Sequence, residues 1–199
     1  AALCVSPAQA RKKPEPTPAK PAPYASTYQA IASAPVLIQN ATVLTGTGER
    51  LDNADVLMQD GKIQAVGKAL SPPGNAKIIN GAGKWVTPGI IDVHSHLGVY
   101  ANPGIQATSD GNEATNAVTA NVWAEHSVWP QDAGFAKALA GGVTSMQILP
   151  GSANLVGGRS VILKNVAATT FQAMKFPDAP YGIKMACGEN PKRVYGEKG

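Results

Sequence analysis

Asp92, His94 and His96 alternate in the run Thr87-Pro88-Gly89-Ile90-Ile91-Asp92-Val93-His94-Ser95-His96. On an extended backbone, side chains two apart share a face, so one carboxylate and two imidazoles project together while Val93 and Ser95 turn the other way. Neutral imidazole nitrogens suit Zn²⁺, Fe or Ni, and a carboxylate one step back along the strand can hold a ligating imidazole by its second N–H. A His-x-His pair also arises in ordinary polar packing, so its weight depends on the elements that present it.

Gly89 to Val93 is an almost continuous apolar run, as expected of a parallel strand buried on both faces. Residues 131–140, QDAGFAKALA, predict a helix stopped by Gly141-Gly142, and Val143 to Leu149 predicts a second strand. Strand, helix and strand in that order favour a parallel sheet or barrel, whose sites open at the carboxyl ends of the strands. Upstream, residues 34–86 carry short β-branched runs broken by Gly46, Gly48, Gly67 and the pair Asp60-Gly61, a strong hairpin signal. About 50 residues of short antiparallel strands make a small sheet that needs a partner elsewhere. Residues 181–186 predict a third short strand, with Cys187 to Pro191 as the loop leaving it.

The stretch from Val86 to His96 closely resembles the amidohydrolase superfamily signature, in which a Pro-Gly turn leads from a small β-sandwich into the first strand of a barrel. The likeness extends upstream through Asp60-Gly61-Lys62-Ile63 and downstream through Ala140 to Ser145, covering roughly residues 35–199. A cupin, the other common home of His-x-His, calls for a Glu about four residues after the second His, where Tyr100 and Ala101 stand instead. The resemblance implies an α/β protein: a small β-sandwich portion over 34–86, then the first part of a TIM-like (β/α)8 barrel over 87–199. It also implies a mono- or dinuclear centre of divalent metal, zinc above all, with His94 and His96 as first ligands and a bridging carboxylate or carboxylated lysine. Glu189, just past the third strand, is the leading bridging and catalytic candidate beside Asp92, and Lys184 is its rival. Residues 150–164 resemble the imidazolonepropionase-like branch and predict a Gly-Gly hairpin by the site. There Arg159 either meets a substrate carboxylate or faces solvent. His126, in a polar insertion, is a poor ligand candidate. The family's remaining histidines and final Asp find no match here, and a complete barrel takes about 250 residues, more than this chain of 199. The expectation is therefore an amino-terminal part of a hydrolase that cleaves carbon–nitrogen bonds in a cyclic amide, ureido compound or dipeptide by metal-activated water. A non-catalytic binding protein on the same scaffold is the alternative.

The rest of the sequence bounds that expectation. Residues 1–10, ending Ala8-Gln9-Ala10, read as a signal-peptide remnant, which implies export to the periplasm, although the charged leading region is missing. Residues 11–33 read as a linker, with Pro14, Pro16, Pro18, Pro21 and Pro23 holding the chain extended. Net charge is +4 with 44% hydrophobic residues. The excess sits at the two ends and leaves the body with no basic patch for nucleic acid. No run of 18 apolar residues could span a membrane. With Cys4 in the leader, Cys187 stands alone and no disulfide framework exists. A small-molecule partner and a possible homo-oligomer complete the reading.

Overall fold

Strand alternation and one sharp turn build the first sheet. In the computed structural model, which describes residues 24–196, β1 (Val36–Leu44) buries Leu37, Ala41 and Val43, and β2 (Arg50–Gln59) buries Ala54 and Val56. β2 returns through Asp60-Gly61 into β3 (Lys62–Gly67), with Gln59 opposite Lys62. Both turn residues have positive φ, 52° and 71°, which Asp tolerates and Gly adopts without steric cost. β1 carries a bulge at Asn40, whose N–H donates to Asp55 Oδ1 at 2.9 Å; Asp55 Oδ2 accepts Leu70 N–H at 3.0 Å. The Asp55 carboxylate is therefore buried with both oxygens satisfied.

β4 (Lys77–Asn80) and β5 (Trp85–Val86) both pair with β1, giving five strands in the order β3-β2-β1-β4 with β5 also on β1. These last two pairings are parallel, not antiparallel as the short spacing suggested. Residues 68–76 carry the chain from β3 across to the far edge of β1, and after a turn at 81–84 β5 continues along that same edge, which a local turn signal does not reveal. Among the described residues this is a single layer, and Ile63, Ile78 and Trp85 on it remain exposed.

The second half is mixed α/β. β6 (Ile90–Ser95) runs parallel to β7 (Val143–Ile148), with Ile90 opposite Val143 and Ser95 opposite Ile148. Between them lies α1 (Ala133–Ala140), capped at its start by the Asp132 carboxylate, which accepts Gly134 N–H at 2.8 Å, and ended at Gly141-Gly142. β9 (Val161–Lys164) completes a three-stranded sheet antiparallel to β7. Phe135 of α1 joins Met146, Ile148, Val161, Leu163, Val99, Val128 and Met174 in the core, the last from α2 (Phe171–Met174).

Three expectations change here. β6 is a parallel strand, but Ile90, Ile91 and Val93 are exposed rather than buried, because β7 is its one strand partner among the described residues. The run 155–163 is not a hairpin: β8 (Val156–Arg159) leaves β9 at Ser160 and pairs with β10 (Ile183–Met185) instead. The third predicted strand thus exists but lies in a separate two-stranded sheet. The pivot is Ser160, buried, whose Oγ accepts Gln147 Nε2 at 2.7 Å and Gly182 N–H at 2.9 Å.

The signal-like residues 1–10 and residues 11–23 lie outside the described chain. Residues 24–28, inside the stretch read as linker, are docked on α2: Thr27 N–H donates to Gln172 O at 3.0 Å and Ser26 Oγ to Lys175 O at 2.6 Å. No helix among the described residues is long and apolar enough to cross a membrane.

Candidate functional site

Gly89 lets β6 begin against β7, since a Cβ there would fall 2.1 Å from Thr144 Oγ1 and 2.8 Å from Thr144 Cβ. From that close start β6 carries Asp92 and His94, with His96 one residue past its end. The imidazoles of His94 and His96 stand 5.2 Å apart, centre to centre, with ring planes at 83°. His96 Nδ1 lies 2.9 Å from the Leu149 carbonyl oxygen at the carboxyl end of β7. A carbonyl only accepts, so Nδ1 carries the proton and Nε2 keeps its lone pair free for a metal. The orienting partner for His96 is therefore a backbone carbonyl, not the Asp92 carboxylate. Asp92 Oδ1 instead accepts the His94 backbone N–H at 3.0 Å, where the pairing of β6 with β7 slips between Asp92 and Ser95.

Lys184 of β10 comes to this pair. Its Nζ lies 3.5 Å from His94 Nε2 across 90 residues of sequence, and the side chain is buried. Burial pushes its ammonium below the ordinary lysine range by disfavouring charge. Tyr100 closes the other side, its ring centre 5.6 Å from that of His96 and its hydroxyl accepting a hydrogen bond from Asn112 Nδ2. Burial raises the Tyr100 phenol above its usual pKa, against a smaller lowering by Asn112.

Glu189 is elsewhere. It opens α3 (Glu189–Tyr195), exposed, and among the described residues its carboxylate meets neither histidine. No three His, Cys, Asp or Glu side chains converge as a metal cage among the described residues. Asp92, His94 and His96 share a strand end with Lys184 beside them, and Glu189 is not brought in. Arg159 is occupied by the protein itself: Nη1 donates to Ala120 O at 2.9 Å and the guanidinium lies 4.7 Å from the Trp123 ring centre. His126 stacks edge-on against Tyr24 at 5.0 Å, away from the other histidines.

Sequence reasoning missed the polar residues behind this site. Glu125 and Lys175 form an ion pair of 2.6 Å with side chains 0% and 7% exposed, joined by the Tyr181 hydroxyl and the Tyr24 carbonyl. Asn154, fully buried, donates to the carbonyls of Glu113 and Asn116 at 2.5 and 2.7 Å, tying the 113–119 loop to the chain after β7. The sequence signal available for Glu125 was a charge directly after Trp123-Ala124; nothing local marked Asn154.

A crystal structure of an amidohydrolase from Thermotoga maritima MSB8 is 45% identical and superposes with a TM-score of 0.73 over 82% of this chain and 42% of its own. Amidohydrolase tasK of Hapsidospora irregularis is 35% identical over 190 residues, 82% of this chain and 19% of the relative. A dihydroorotase of Trichlorobacter lovleyi is 27% identical over 144 residues, 71% of this chain and 28% of the relative. No family model matches. The chain belongs to the amidohydrolase superfamily, and it spans between about a fifth and under a third of the length of these two curated relatives.

Proposed function

We propose that the protein carrying this chain is a metal-dependent hydrolase of carbon–nitrogen bonds in small amides, cyclic, ureido or dipeptide, with His94 and His96 as its first two metal ligands. The observation that carries this reading is the pair of adjacent imidazoles at one strand end: the Leu149 carbonyl on Nδ1 leaves His96 Nε2 free, and His94 Nε2 faces Lys184 Nζ at 3.5 Å. The donor set fits a divalent ion such as zinc, though two nitrogens fall short of the three protein ligands usual for catalytic zinc. When bound, such an ion would bring the pKa of a bound water down toward neutrality and polarise a carbonyl.

The residues of the chain have separable tasks. Leu149 O holds the His96 tautomer, and Asp92 holds the His94 backbone. Lys184 fits the bridging role better than Glu189, because it is buried against His94 and has no carboxylate partner among the described residues. With its proton lost, the Lys184 amine would add CO2 to give a carbamate and release one proton, and would then offer two oxygens to a divalent ion. The parallel unit β6-α1-β7 is read as the first turn of a (β/α)8 barrel, with further ligands supplied from outside this chain. The likeness of sequence and fold to named amidohydrolases supports that reading.

Replacing both histidines, His94→Ala with His96→Ala, in the full-length protein removes most bound metal by elemental analysis and at least about a thousandfold of amide hydrolysis, on the order of 4 kcal/mol. A double variant that keeps its metal and its rate places the centre elsewhere. We also propose that the protein is exported and cleaved after Ala10, since Ala8-Gln9-Ala10 precedes a Pro-rich stretch. Mass spectrometry of protein from its native host reads the mature amino terminus, and an intact 1–10 segment refutes the cleavage.

A further inference from the structure

Behind Tyr100 the structure encloses a second feature that the histidine pair does not use. A cavity of about 440 Å³ opens between the 110–127 excursion and the end of β7, of a size that holds a small molecule rather than a single ion. Its wall carries Asp110, Asn112, Glu113, Trp123, His126 and Pro150, and no Lys or Arg. Neither carboxylate is in an ion pair among the described residues. Glu113 Oε1 accepts Thr115 N–H at 3.1 Å, and no protein donor meets the Asp110 carboxylate or Glu113 Oε2 there. Asn112 is engaged at both ends of its amide, donating to Tyr100 and accepting Ala153 N–H at 3.1 Å. Asp110, exposed, and Glu113, half-buried, are thus the acids of this wall, both without an ion-pair partner among the described residues and with an indole beside them. The stacked Arg159 and the edge-on Tyr181, whose ring centre lies 4.6 Å away, hold Trp123 in place.

The wall is also preorganised. Buried Asn154 pins the backbone of Glu113 and Asn116, so the carboxylate of Glu113 stands on a fixed loop. Two residues of the cavity wall connect it to the histidines: Pro150 follows Leu149, whose carbonyl holds His96, and Asn112 holds Tyr100, which packs on His96.

The geometry points to this cavity as a recognition pocket for an organic cation, the ammonium or guanidinium arm of an amide substrate whose scissile bond lies at the histidine pair. The substrate role rests on the hydrolase reading above, whereas cation binding rests on the cavity alone. Two carboxylates without a protein counter-charge attract a cation, an indole contributes its ring face or edge to the alkyl stem, and an anionic arm meets repulsion.

Calorimetric titration of the full-length metal-loaded protein with butylguanidinium, its neutral isostere N-butylurea, and pentanoate tests the charge preference on the unaltered protein. Butylguanidinium binds at least tenfold more tightly than N-butylurea, and pentanoate gives no binding heat. In Asp110→Asn with Glu113→Gln, the guanidinium preference falls to within threefold of the urea, while circular dichroism reports an unchanged fold. His94→Ala with His96→Ala retains the preference. Equal binding of guanidinium and urea overturns the pocket, as does a preference that survives neutralisation of both acids or vanishes with the histidines. Loss of all hydrolysis in the unaltered enzyme, with cation binding intact, overturns the hydrolase reading alone.

Discussion

At the scale of single residues, the site is decided by which partner each donor finds. His-x-His fixes two imidazoles on one side of a strand, but the tautomer of His96 depends on the carbonyl of Leu149, 53 residues away. Glu189 and Lys184 differ in the same manner. Glu189 is the first residue of the short helix α3 and faces solvent, whereas Lys184 sits mid-strand in β10, where pairing with Gly158 of β8 turns it inward. Lys184→Met in the full-length protein is therefore expected to lower kcat/KM at least about a hundredfold, near 2.7 kcal/mol, while Glu189→Gln changes it less than about threefold. Steady-state kinetics on both variants settles the order, and the reverse result restores Glu189 as the bridging group.

At the scale of elements, Asp132 joins the helix to the loop that follows the histidines. One carboxylate caps α1 at Gly134 N–H and accepts Gly98 N–H at 2.8 Å and Asn102 N–H at 3.1 Å, two and six residues beyond His96. Asp132→Ala removes a helix cap, typically about 1 kcal/mol, and strands a buried amide at Gly98, about 1–3 kcal/mol more. A loss on the order of 3 kcal/mol is expected in urea unfolding followed by circular dichroism, and a loss under about 1 kcal/mol would show that water replaces the carboxylate. The helix itself was legible in QDAGFAKALA and its Gly-Gly stop. The hairpin expected at 155–163 was not there, because Ser160 directs β8 and β9 into different sheets through contacts with Gln147 and Gly182.

At the scale of the molecule, the buried Glu125–Lys175 pair ties three distant segments together. Lys175 Nζ also donates to the Tyr24 carbonyl at 2.6 Å, holding the segment that precedes the first sheet against α2. Glu125→Ala leaves a lysine buried without its counter-charge and is expected to cost about 3–5 kcal/mol, while Glu125→Ala with Lys175→Met costs clearly less than the sum of the single changes. Thermal denaturation of the four proteins measures the coupling, and additive losses mean the pair contributes no interaction of its own. The double variant also loses the tie to Tyr24, so limited proteolysis near residue 24 increases in it.

The sequence by itself determined the parts governed by local rules: the Asp60-Gly61 turn, the capped helix before Gly141-Gly142, the strand that presents Asp92, His94 and His96, and the family likeness around Pro88-Gly89. Each depends on backbone sterics or on a period of two or 3.6 residues, which neighbours in the chain suffice to specify. Only the tertiary structure decided that β4 and β5 run parallel to β1, that Lys184 rather than Glu189 meets His94, that Arg159 is spent on Ala120 and Trp123, and that two acids without an ion-pair partner among the described residues line a cavity connected to the site. Those outcomes turn on pairings between groups tens of residues apart, where the winner is set by burial and by which acceptors are left over, and no local pattern carries that information.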